Sequence, residues 1–213
     1  MRFTVACAVT ATVIVLPFGV GLAWLLARRR FPGRSLVETL VSLPLVMPPV
    51  ATGLILLTLF SRRGLVGGWL ERLGIDVVFT WKAVVLAMAI MGLPLLVRTA
   101  RAGFEQVHAR YEDVAATLGA RPFRVFLTIS LPLAWPAVVA GAVLAFARAL
   151  GEFGATIVVA GSIPGVTRTL AVAIYTDAET GRDADAFTLL LVSIGIAFVA
   201  LWAANRLVER RAA

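Results

Sequence analysis

Residues 4–27 read TVACAVTATVIVLPFGVGLAWLLA, a run of 24 residues without a charge, and Arg28, Arg29 and Arg30 follow at once. A helix rises about 1.5 Å per residue, so this run is long enough to cross a hydrocarbon layer of about 30 Å. It is too long for the apolar region of a signal peptide, and its basic cluster lies on the wrong side for one. The rest of the 213 residues share its character: 60% are hydrophobic, 15% are charged and the mean hydropathy is +0.94. A soluble domain is nearer half apolar and a quarter charged, so the excess has no water-soluble core to enter. The composition defines an integral membrane protein, and long charge-free runs of this kind are expected to span the membrane as helices, giving an all-α fold.

Working outward, four further spans are predicted. The second covers residues 39–60 and holds Pro44, Pro48 and Pro49, which a membrane helix tolerates where neighbours or water satisfy the freed carbonyls; it is expected to pack inside a bundle. The third covers residues 79–100, with Phe79 and Trp81 as an aromatic flank at the membrane interface. Residues 125–147 and 153–167 are uncharged and enclose Arg148 and Glu152. Two full spans cut from this stretch would place a Pro or Gly cluster in lipid, so a single helix over residues 135–159 is predicted. The last span covers residues 186–206. Residues 169–176 are too few to cross and are expected to form a re-entrant or interfacial helix.

The 20 basic residues exceed the 12 acidic ones by 8. In a soluble chain this excess would point to nucleic acid, but in a membrane chain it reports orientation. With five spans and the N-terminus outside, twelve basic residues fall on inner segments, seven on outer ones, and Arg148 alone stays in the membrane. The expected topology is therefore N-terminus outside and C-terminus cytoplasmic. A single Cys (Cys7) and a single His (His108) exclude a disulfide framework and a multidentate metal site, and no cofactor is expected.

The longest inner loop, residues 104–124, carries the most information. Residues 111–118 read as a short helix, with Glu112 and Asp113 where carboxylates favour the helix dipole and Gly119 where a left-handed C-cap is wanted. Val114, Ala115 and Leu118 give it a small apolar side. On these grounds it is equally an ordinary capped surface helix or a shallow docking surface.

Glu112, Asp113, Val114, Ala115, Ala116, Thr117, Leu118 and Gly119, then nine residues, then Ile129, Ser130, Leu131 and Pro132, resemble the coupling-loop signature of permease subunits of ABC importers, the binding-protein-dependent transport system inner-membrane components. That signature runs Glu-Ala-Ala, three residues, Gly, nine residues, Ile, one residue, Leu-Pro. The second half matches without a gap. In the first half Asp113 and Val114 stand where Glu and Ala are usual, with Glu112 one residue early, which leaves open which acid makes the family contact. Phe31-Pro32-Gly33, Leu43-Pro44-Leu45-Val46-Met47-Pro48-Pro49, the run from Phe146 to Thr156, and Ile163-Pro164-Gly165-Val166-Thr167-Arg168-Thr169 are similar to the molybdate branch of that family. Sulfate and thiosulfate permeases share the Arg-x-Leu-Gly-Glu-Phe-Gly-Ala stretch, and no feature separates molybdate from tungstate.

The resemblance implies a type I importer fold in a bacterial inner membrane, a homodimer, two copies of a separate ATP-binding subunit and an extracytoplasmic molybdate-binding protein. It implies coupling to the ATPase through Glu112, Asp113, Ala115, Ala116 and Gly119. The residues agree that ATP is bound elsewhere: the single lysine, Lys82, follows Trp81 with no glycine-rich loop before it. Arg148 and Glu152 lie four residues apart, on one face of a helix. They are read either as a neutralised ion pair or, with Gly154 and Thr156, as part of a translocation path or gate. An intramembrane hydrolase would need a nucleophile and base, or two acids, at matching depth, and one loop His and one Arg-paired Glu do not provide them.

Overall fold

A computed structural model describes residues 1–212, and all its regular elements are helical. Helix α1 (Arg2–Arg28) and helix α5 (Trp81–Gln106) are the first and central spans; between them lie α2 (Arg34–Val46), α3 (Pro49–Phe60) and the short α4 (Gly67–Arg72). Then come α6 (Ala109–Thr117), α7 (Pro122–Val125), a π-helical turn (Phe126–Ser130), α8 (Leu131–Leu150), α9 (Gly154–Ala160), α10 (Leu170–Glu179) and α11 (Asp183–Ala212).

Four helices are long and apolar enough to cross a membrane, and the bent pair α2–α3 makes a fifth candidate. Helix α5 forms the core: 61% of its apolar window is buried, against 6% for α11, whose Phe187, Leu191, Ile194 and Phe198 face outward at helical spacing. Small residues let the helices approach, as expected where packing rather than water exclusion drives association. A methyl group on Gly19 of α1 would lie 2.6 Å from Leu96 Cδ2, one on Gly103 would collide with Ala137 Cβ, and one on Gly141 would lie 3.1 Å from the Leu96 carbonyl. These positions draw α1 and α8 onto α5.

The second span is not one helix. The chain turns by 114° between α2 and α3. Pro48 pushes Met47 into extended backbone (φ −70°, ψ 146°), and Pro49 starts α3 where its missing N–H costs nothing. Helix α2 buries no residue, so it does not pack inside the bundle; its Glu38 holds Arg34 (2.8 Å) and Arg101 of α5 (2.9 Å).

The helix predicted over 135–159 is also corrected at both ends. It begins upstream at Pro122, runs through the π turn, where Leu131 N–H bonds the Phe126 carbonyl, and stops at Leu150. The wide turn sits directly before Pro132, which has no N–H to continue an α ladder. Beyond Leu150 the chain breaks over 151–153 and restarts as α9. The short segment near residue 170 forms α10. Thr169 caps it, and Thr4 of α1 accepts a hydrogen bond from Leu170 N–H (2.9 Å), which fixes it to the start of α1.

Candidate functional site

Two regions carry the residues singled out by sequence. The first is α6, nine residues long and about 13 Å, too short to cross a membrane. It ends in a Schellman motif: Gly119 sits at φ +83°, its N–H bonds Ala116 O (3.0 Å), and Ala120 N–H bonds Ala115 O (3.0 Å). A side chain at Gly119 would meet nothing within 4 Å, so glycine serves backbone conformation there rather than space.

The geometry separates the two acids. Glu112 turns toward its own chain: Oε1 is 2.8 Å from Arg28 Nε and accepts from Ser130 Oγ at 2.7 Å. Arg28 also donates from Nη2 to the Val107 carbonyl (2.8 Å). Asp113 and Ala116 face outward with Tyr111, Val114 and Leu118, while Ala115 is half-buried. Leu118 is 83% exposed, a large apolar side chain with almost no cover on a helix that does not cross the membrane. Beside α6, Gly103, His108, Tyr111, Ala134 and Ala137 help line a cleft of about 310 Å³. Arg28 gives no sequence signal because it lies 84 positions from Glu112; Ser130 stood in the motif only as its unspecified residue.

The second region is the break between α8 and α9. Arg148 Nη1 meets Glu152 Oε2 at 2.7 Å, so the predicted pair forms, although α8 ends before Glu152. The other oxygen, Oε1, accepts Ala155 N–H at 2.7 Å, at the start of α9. Glu152 is 1% exposed and Arg148 27%, so the acid is sealed in and the base keeps one open side. Capping α9 is the physical reason for the break, since a helical Glu152 could not reach forward to a free N–H. Gly154 packs on α3: a methyl group there would lie 2.7 Å from Pro49 Cβ. Gly53 of α3 makes the reciprocal approach, where a methyl group would lie 2.7 Å from the Ala155 carbonyl oxygen. Thr156 is wholly buried and its Oγ1 has no hydrogen-bond partner among the described residues; Thr52 Oγ1 on α3 shares this condition.

Residues 16–213 match the family described as binding-protein-dependent transport system inner membrane component. The protein belongs to that family. It is a multi-pass membrane component of such a transport system. Among its relatives, the molybdenum transport system permease protein ModB of Escherichia coli is 48% identical over 196 residues, covering 90% of this chain and 84% of the relative. The sulfate transport system permease protein CysT of Escherichia coli is 37% identical over 209 residues, covering 98% of this chain and 76% of the relative. In fold, this inner membrane component is similar to an inward-facing MetNI methionine ABC transporter (TM-score 0.77, 17% identity, 98% of this chain and 93% of that one). A bacterial alginate ABC transporter in complex with an alginate-bound periplasmic protein is also similar (TM-score 0.75, 18% identity, 99% and 77% covered).

Proposed function

We propose that the chain is the permease subunit of an ATP-driven importer for a tetrahedral oxyanion, molybdate before sulfate, thiosulfate or tungstate. The observation that carries this reading is the exposed face of α6, with Asp113, Val114 and Leu118 outward on a helix closed by Gly119. Such a face wants a partner, and a permease without a nucleotide loop needs an ATPase. The higher identity to the molybdenum permease than to the sulfate permease supports the choice of ion.

In this reading the N-terminus is outside, and α6 is cytoplasmic with two copies of the ATP-binding subunit docked on a homodimer. A binding protein delivers the anion on the α10 side. Closure of the ATPases pushes on α6 and reorients the spans. The break carrying Arg148, Glu152, Gly154 and Thr156 lies along the path or gate. Arg148 offers transient attraction to the anion, and Glu152 keeps that attraction too weak to trap it.

Uptake of labelled molybdate into vesicles holding the permease, its ATPase and its binding protein tests the proposal. Uptake should require ATP hydrolysis and resist competition by sulfate more than by tungstate. Uptake that persists when hydrolysis is blocked would make the protein a channel. Stronger competition by sulfate than by molybdate itself would reassign the ion.

A further inference from the structure

We infer that Glu112 is not an ATPase contact but a positioning residue, the centre of a latch that carries movement of α6 into α1 and α8. The inference rests on the reading of α6 as the docking helix and goes beyond it by assigning a separate task to one of its two acids.

The latch is made of four residues. One carboxylate oxygen of Glu112 holds Arg28 Nε, at the last residue of α1, and Ser130 Oγ, at the last residue of the π turn leading into α8. The second arm of Arg28 holds the Val107 carbonyl, at the junction of α5 and α6. Two spans, α1 and α8, thus meet α6 through one acid, and Arg28 adds the end of α5. The charges complement the helices: Arg28 sits at the C-terminal end of α1 and Glu112 in the first turn of α6. Ser130 is wholly buried and Glu112 is 18% exposed, so these charge-assisted bonds are shielded from competing water. To reach an ATPase, Glu112 would have to abandon both donors, whereas Asp113 already faces outward.

The π turn gives the latch something to move. Its first residue, Phe126, packs on Trp24 of α1 (ring centroids 5.2 Å apart) and on Phe104 of α5 (6.1 Å). Its last residue, Ser130, is tied by its side chain to Glu112 of α6. A displacement of α6 therefore acts on the five residues between an aromatic end packed on α1 and α5 and a polar end tied to α6, where hydrogen bonds already run in the wider register. Beyond them α8 runs for 20 residues, Leu131–Leu150, and carries Arg148 in its last turn, so a shift at Ser130 reaches the ion pair along one continuous helix.

The experiment uses the complete importer in vesicles and reads three quantities: ATPase retained on the purified permease, ATP hydrolysed, and anion imported. Glu112→Gln keeps the shape and removes the charge. It should keep the ATPase at wild-type stoichiometry while anion imported per ATP falls about fivefold or more. Ser130→Ala, which leaves the ion pair intact, should lower the same ratio by a smaller factor, and it carries the test if Glu112→Gln does not insert. A merely structural role would change the amount of complex and not this ratio. Loss of the ATPase from Glu112→Gln, or an unchanged ratio in the inserted variants, overturns the latch. Leu118→Asp is the separate control on the docking reading: if it keeps the ATPase bound and transport intact, that reading fails, whatever Glu112 does.

Discussion

Two of the arginine–glutamate pairs, of nearly the same length, do opposite work. Arg148 and Glu152 are four residues apart, the acid is sealed, and both of its oxygens are used within the break between α8 and α9. Arg28 and Glu112 are 84 residues apart and their bond joins elements that nothing in the local chain holds together. The first pair makes one place rigid. The second connects places that can move relative to one another. A local pair can be replaced by other means of capping and neutralising, but a connecting pair has no substitute, because removing it severs the only polar tie between α6 and Ser130 seen among the described residues. Stability should therefore reside in the first pair and coupling in the second.

The largest expected effect tests the first half of that contrast. Glu152→Ala leaves Arg148 without its carboxylate and Ala155 N–H without its acceptor, a loss of about 3 kcal/mol. Thermal unfolding of the purified protein should show a much larger fall in Tm for Glu152→Ala than for Glu112→Ala, whose site is partly open to water. Equal falls would erase the distinction between the pairs.

A smaller loss follows from crowding the same break. Gly154→Val pushes a side chain against the rigid ring of Pro49, where even a methyl group would lie 2.7 Å from Cβ, and should cost about 1–3 kcal/mol. Gly151→Ala, three residues earlier, meets only the Ala147 carbonyl at 4.0 Å and should be tolerated. The two melts side by side show whether the α3–α9 crossing or the glycines in general hold this region.

At the coupling end the analogous glycine acts through conformation. Gly119→Leu must adopt φ +83° in open space, a strain of about 1–2 kcal/mol. It should loosen the end of α6 and reduce ATPase co-purification with little change in protein level. Gly119→Asn, which accepts the left-handed region more readily, should retain most of the association. Wild-type association in Gly119→Leu would remove α6 from the coupling role.

The same contrast explains what sequence could reveal. Spans α1, α5 and α11 were legible because an uncharged run of sufficient length is a local property, and Gly119 was legible because a C-cap is set by its neighbours. The Arg148–Glu152 pair was legible by spacing, but the break beneath it was not: Gly-Glu-Phe-Gly continues a helix unless the acid caps a second one. Pro48-Pro49 likewise reads as a kink within a span, and the 114° turn requires knowing that α3 will lie across α9 at Gly53 and Gly154. The inward turn of Glu112 had no signal near it, since its partner closes the other end of a long loop in sequence. Pairings at a distance were the part that sequence withheld.

Thr156 gives the smallest effect and the finest division between packing and path. Its hydroxyl is buried without a hydrogen-bond partner among the described residues, so Thr156→Val removes an unpaired polar atom and keeps the side-chain shape. Stability should hold or rise by up to about 1 kcal/mol. Thr52→Val, on the other half-helix of the crossing, should behave alike. Uptake then decides what the hydroxyls are for. If the break is part of the anion path, Thr156→Val should lower uptake in a protein at least as stable as wild type, and Arg148→Gln should lower it further than its own loss of folded protein explains. If uptake follows stability in both variants, the break is an ion-paired hinge in the wall, and the path runs elsewhere.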